Sequence, residues 1–130
     1  MREYLSPDCQ ERVRSCAVEA LTADDANTQR VVATVRVKYG LAGVFEMCSY
    51  FALLGHYEGT APISFWDVDP AEWRPELRSL LNIYRFGLAV RNQEADAADE
   101  IFSDVVRLGT GELNSFVANL RRYARDEWKS

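Results

Sequence analysis

Apolar residues recur every three or four positions over most of the chain, and this spacing predicts amphipathic helices. The first helix is expected to begin after Ser6, a favoured N-cap residue, with Pro7 in the first helical position. It is expected to end near Leu21, before Thr22. Its apolar residues share one face: Cys9, Val13, Cys16, Ala17, Ala20 and Leu21.

Two helices are predicted between residues 23 and 55, separated at Gly40. Thr22 is the expected N-cap of the first, with Asp25 three residues later. Residues 33–39 also alternate apolar and polar side chains in the manner of a strand, but the capped start favours a helix. The second, residues 41–55, is apolar almost all round, which is typical of the buried centre of a bundle.

Residues 56–69 form the longest irregular segment, punctuated by glycine and proline and rich in aromatic residues. Asp69 and Pro70, with Glu72 following, then give the strongest helix-start signal in the chain. Pro75 is expected to kink this helix or to restart it one turn later. Its predicted core face consists of five residues: Leu77, Leu80, Leu81, Tyr84 and Leu88.

The last third of the chain predicts two more helices. Asn92 is the expected N-cap of the first, which runs to Leu108 and places acidic residues opposite its apolar face. Gly109 ends it, and Thr110 is expected to cap the second. The apolar stripe of that final helix is Leu113, Phe116, Val117, Leu120, Ala124 and Trp128. Its basic residues are expected to lie outside the stripe: Arg121, Arg122, Arg125 and Lys129.

The sequence therefore predicts an all-α, single-domain bundle of five to six helices over residues 1–130. Hydrophobic residues make up 48% of the chain and aromatic residues 12%, which is enough to build an apolar core. A chain of this length buries about two thirds of the surface that its unfolded state exposes. We therefore expect no structural metal, disulfide or cofactor.

The net charge and the number and spacing of the cysteines limit the classes of function that this sequence suggests. A net charge of −5 argues against a general nucleic-acid binder, because phosphate binding relies on a basic surface. Three cysteines without regular spacing do not form a disulfide framework or a zinc site. No signal-peptide pattern occurs, and residues 41–54 are shorter than the roughly 20 residues of a membrane span. We therefore predict a cytoplasmic protein without membrane contact.

Glu46 is the first candidate catalytic residue. A carboxylate inside an otherwise apolar helix must be paired, hydrogen-bonded or protonated. One hypothesis makes Glu46 a general acid or base. A second makes it the ion-pair partner of an arginine such as Arg78 or Arg85, and a third leaves this strip of the helix exposed.

His56 is the second catalytic candidate, since it is the single histidine and follows the apolar helix directly. A pocket formed by Glu46, Tyr50 and His56, closed by Phe65 and Trp66, is one interpretation. The other is a solvated turn residue, which is the more common role of a histidine beside glycine. Cys48 lies among apolar residues, which favours a core thiol over a nucleophile.

Residues 39–54, with Tyr39, Gly40 and Leu41 followed by Val44, Phe45, Glu46 and Met47, resemble a helix of the carboxymuconolactone decarboxylase and alkylhydroperoxidase-like family. The redox members of that family carry a Cys-x-x-Cys pair with a nearby histidine. This sequence has no such motif, so neither the activity nor the site carries over.

The sequence supports two main hypotheses about function. The first is an interaction or regulatory protein that acts through protein–protein contacts with itself, as a homodimer or larger homo-oligomer, or with another protein. Tyr50, Phe65, Trp66 and Trp73 are its candidate interface residues. The alternative is a small-molecule-binding protein or enzyme with a core pocket around Glu46, Tyr50 and His56. Binding of nucleic acid through the basic residues of the last helix is a distant third.

Overall fold

A computed structural model describes residues 5–54 and 75–129, which form five helices and no strand. The helices are α1 (Pro7–Thr22), α2 (Asp25–Leu54), α3 (Pro75–Arg91), α4 (Ala95–Arg107) and α5 (Thr110–Lys129). The predicted all-α bundle is confirmed, and residues 33–39 are helical. The predicted helix start at Asp69 lies outside the described residues.

Short polar side chains cap the first two helices. The Cys9 amide donates to Ser6 Oγ at 3.3 Å, as the sequence predicts. The predicted cap of α2 is wrong by two residues, because Asp24 takes that role: its Oδ1 accepts from the Asn27 amide at 2.8 Å. Thr22 instead belongs to α1, where its hydroxyl donates to the carbonyl of Glu19.

A bend at Gly40 divides α2 into two halves. Gly40 has φ 69° and ψ −162°, a combination that is essentially restricted to glycine. Gly43 is needed for a different reason, since a Cβ there would lie 2.6 Å from Tyr39 Cβ and 3.0 Å from Val35 Cγ1. The two helices predicted on either side of Gly40 are thus the two arms of one bent helix.

A tight turn joins α3 to α4. Gln93 has φ 60°, and its amide donates to Val90 O at 3.1 Å, while the Glu94 amide donates to Ala89 O at 2.8 Å. This pair of bonds is the Schellman pattern that satisfies the last carbonyls of a helix. Asn92 therefore ends α3 instead of capping α4, whose N-cap position is Glu94.

Four phenylalanines connect four helices through edge-to-face contacts. Phe45 of α2 lies 5.3 Å from Phe102 of α4 and 5.7 Å from Phe86 of α3, measured between ring centroids. Phe86 lies 5.3 Å from Phe116 of α5. Such pairs stabilise by about 0.5–1.5 kcal/mol each beyond the burial of their area.

On α4 the predicted apolar residues Ala98, Phe102 and Val105 are buried, but Leu108, predicted on the same face, is 43% exposed. The buried apolar residues of α5 agree with the predicted stripe, and the buried face of α3 is rotated. Ile83, Phe86 and Ala89 are buried on α3 together with Leu81, whereas Tyr84 and Leu88 are only partly buried. Ile83 and Phe86 do not stand out in the sequence because α3 is apolar on two sides, so periodicity alone does not select one face. On α5 the buried apolar residues are Leu113, Phe116, Val117, Leu120 and Ala124.

Residues 26–54 of α2 are long and apolar enough to cross a membrane, judged by length and composition. The buried central helix of a bundle gives the same pattern. In this structure Val44, Met47, Cys48 and Phe51 are fully buried, and α2 packs against α1, α3 and α5.

We expect Gly40→Ala to lower the free energy of unfolding by about 1–3 kcal/mol, because alanine must adopt a backbone conformation open only to glycine. No heavy atom lies within 4 Å of the added Cβ, so the effect comes from the backbone alone. Gly111→Ala is the matched control: its Cβ also meets no atom within 4 Å, and alanine favours helix by up to about 1 kcal/mol. Urea unfolding measures the free energy of unfolding of both variants. Equal changes in the two would contradict a requirement for glycine at the bend.

Candidate functional site

Glu46 forms an ion pair with α1. Arg14 Nε lies 3.2 Å from Glu46 Oε1, with the arginine side chain 54% exposed and the glutamate side chain 19% exposed. The ion-pair partner of Glu46 in the structure therefore belongs to α1, whereas the sequence suggested an arginine of the helix that contains Arg78 and Arg85. An arginine at this distance is a sufficient structural reason for a carboxylate at this position, since it provides the required partner.

Tyr50 lies one turn after Glu46 on the same side of α2 and packs, half-buried, against the core. Four other candidates, His56, Phe65, Trp66 and Trp73, lie outside the described residues. The proposed pocket around Glu46, Tyr50 and His56 therefore stays a prediction.

Arg121 is the main departure from the sequence analysis, which placed it outside the apolar stripe of α5. It is 1% exposed, and among the described side chains only Thr28 is another buried polar one. Its Nε donates to Ala20 O at 2.8 Å, and its Nη2 donates to Ala23 O. The guanidinium thus reaches across about 100 positions of sequence to the end of α1.

The end of α1 is a convergence point for several donors. Ala20 O also accepts from the Thr28 hydroxyl at 3.3 Å, and the same hydroxyl lies 2.8 Å from Asp24 O. The carbonyls at a helix C-terminus carry partial negative charge and have no partner within the helix. A buried cation is therefore stabilised here by the charge and by the hydrogen bonds together.

This arrangement bears on nucleic-acid binding. Arg121 was one of four basic residues considered for phosphate contacts, and its burial prevents such a contact. Arg122 is exposed, and the side chains of Arg125 and Lys129 lie outside the described ones. The basic cluster of α5 is thus smaller than the sequence indicates.

Described residues line two surface grooves. The larger, of about 470 Å³, lies between α1 and the first half of α2. Its lining includes Cys16, Glu19, Asn27, Arg30, Val31 and Thr34. The smaller, of about 280 Å³, lies where α3 meets α4, beside Arg85 and Ile101. Neither groove is lined by Glu46 or Tyr50.

Metal-binding groups are not assembled within residues 5–54 and 75–129: no three His, Cys, Asp or Glu side chains lie close enough to share an ion. Cys48 is buried, Cys9 and Cys16 are partly buried, and none of the three forms a disulfide. The position of Cys48 agrees with the prediction of a core thiol.

We expect Arg121→Met to lower the free energy of unfolding by about 2–4 kcal/mol, because the α1 carbonyls lose their buried donors. Arg122→Met is the matched control: the neighbouring arginine is exposed, so its replacement should change stability by less than about 0.5 kcal/mol. Chemical denaturation compares the two variants. Similar losses in both would show that the burial of Arg121 does not stabilise the fold.

For the Arg14–Glu46 pair we expect a small coupling of about 0.2–1 kcal/mol, because Arg14 is half exposed and solvent screens the attraction. A double-mutant cycle with Glu46→Gln, Arg14→Gln and the combined variant measures it. A variant Glu46→Gln that is more stable than the original protein would contradict a stabilising pair. That outcome would instead favour a carboxylate retained for chemistry.

Comparison with protein-family models, with curated proteins and with solved structures finds no match to this chain. The resemblance of residues 39–54 to a helix of the carboxymuconolactone decarboxylase family therefore has no support from a family match. Function has to be argued from the residues themselves.

Proposed function

We propose that this protein is a small helical interaction or regulatory module that self-associates and acts through protein–protein contacts. The observation that supports the proposal best is Val37, which is 88% exposed on the side of α2 that points away from the core. Leu53, on the outer side of the second half of α2, is 54% exposed. Covering exposed apolar side chains of this kind with a partner is favourable, because it removes their surface from water.

The ion pair of Glu46 supports the same proposal. The carboxylate that was the strongest catalytic candidate has an arginine partner at 3.2 Å, so its presence does not require an active site. The described grooves lie elsewhere. An enzymatic or ligand-binding role around Glu46, Tyr50 and His56 is therefore the alternative against which the proposal is tested. A cytoplasmic location is also part of the proposal.

We expect the protein to sediment as a dimer or larger assembly at tens of micromolar, and Val37→Ser to weaken that assembly at least about tenfold. Each buried valine side chain that is lost removes about 1.5 kcal/mol of apolar contact, which corresponds to about tenfold for every contact that contains Val37. Val37→Ile is the control, since it keeps the apolar surface and should keep the assembly. Sedimentation velocity measures the assembly, and thermal unfolding checks that each variant folds.

Native mass spectrometry then separates the two functions. An assembly without additional mass supports an interaction protein. A monomer at every concentration contradicts the proposal, and a monomer that carries a stoichiometric small molecule would favour the core pocket instead.

A further inference from the structure

We propose that the outer face of the first half of α2 is a docking surface for a second copy of this chain, and that the outer face of α4 in the second copy is what it binds. The inference rests on the proposed self-association and specifies which surfaces meet. The observation that supports this inference is the complementary charge of two exposed helix faces.

The docking surface, here called the basic face, consists of Arg30, Arg36, Val37 and Lys38. All four are exposed, and the helix residues 26–45 contain no Asp or Glu. Arg30 lies two turns before Val37 on the same stripe of the helix, and the small side chain of Ala33 lies one turn before it. Arg36 and Lys38 flank Val37 on opposite sides of this stripe. A partner helix can therefore approach closely, cover Val37 and meet positive charge on both sides.

The complementary surface, here called the acidic face, consists of Asp96, Glu100 and Asp104. These exposed residues are spaced four apart and form one stripe along α4. Like charges at this spacing repel and destabilise a helix by about 0.2–0.5 kcal/mol per pair. Arg107 lies 3.1 Å from Asp104, but in the described part of the chain no ion pair joins Asp96 or Glu100.

The two faces match in length. Eight residues separate Arg30 from Lys38, and eight separate Asp96 from Asp104, so each set of charges spans about 12 Å along its helix. A contact between them brings the cations of the basic face near the carboxylates of the acidic face, relieves the repulsion along α4 and removes Val37 from water.

The two faces lie on different helices of the fold. The first half of α2 packs on α1, and the hydrogen bonds of Arg121 lie beside its beginning, while α4 packs mainly on α3 and α5. Each copy therefore offers one basic and one acidic face. Two reciprocal contacts related by a twofold axis give a closed dimer, the commonest form of homo-oligomer.

Charge reversal tests the contact. One variant carries Arg36→Glu and Lys38→Glu, a second carries Glu100→Lys and Asp104→Lys, and a third carries all four changes. The third retains the formal net charge of −5, so it controls for overall charge. Sedimentation equilibrium gives the dissociation constant of each at low and high salt, and circular dichroism with thermal unfolding confirms that each is folded.

We expect each two-residue reversal to weaken self-association at least about tenfold, and the four-residue reversal to restore it. An equimolar mixture of the first two variants should also associate, since one then offers only acidic faces and the other only basic faces. Raising the salt from about 0.05 M to 0.5 M should weaken the original assembly, because exposed charges are screened.

The outcomes separate this inference from the function on which it rests. An original protein that is monomeric contradicts both. An assembly that survives the reversals leaves self-association standing and overturns this pair of faces. Reversals that weaken the assembly without rescue by the four-residue variant also overturn the pairing.

Discussion

A guanidinium group with almost no contact with water determines how the last helix meets the first two. Burying a charge is unfavourable by several kcal/mol unless its donors are satisfied. Arg121 satisfies at least two of them with the carbonyls of Ala20 and Ala23 at the end of α1. Because these carbonyls occupy fixed positions, the two hydrogen bonds constrain the height and the rotation at which α5 packs. Phe116, five residues earlier, is then directed at the aromatic core.

The bend at Gly40 lets a single helix contribute to both of these regions. The first half of α2 holds Thr28 beside the carbonyls that Arg121 binds, and the second half inserts Phe45 between Phe86 and Phe102. A straight helix of 30 residues would be about 45 Å long and would carry one of these regions away from the bundle. The backbone conformation of Gly40 thus allows one helix to contact both the polar cluster around Arg121 and the cluster of phenylalanines.

Helix positions followed from sequence because apolar spacing and glycine breaks are local signals. The break at Gly40, the cap at Ser6 and the apolar stripe of α5 follow from such signals, although the sequence predicts two separate helices where the structure has one bent helix. Contacts between helices were not, since periodicity gives a face but not the neighbour that it meets. Arg14 was therefore missed as the partner of Glu46, 32 residues away. Arg121 had a local signal: it follows Val117 by four residues and precedes Ala124 by three, at the edge of the apolar stripe.

The long sequence separation of the Arg121 contacts has a consequence for the order of events during synthesis. The α1–α2 hairpin leaves the ribosome first, with the carbonyls of Ala20 and Ala23 still lacking the donors that α5 supplies. Loop closure over such a distance comes late, because its entropic penalty precedes the contacts that offset it. The nascent chain therefore completes its tertiary structure only after residue 121 has emerged, and a polypeptide that ends before that point lacks the hydrogen bonds that join α5 to the end of α1.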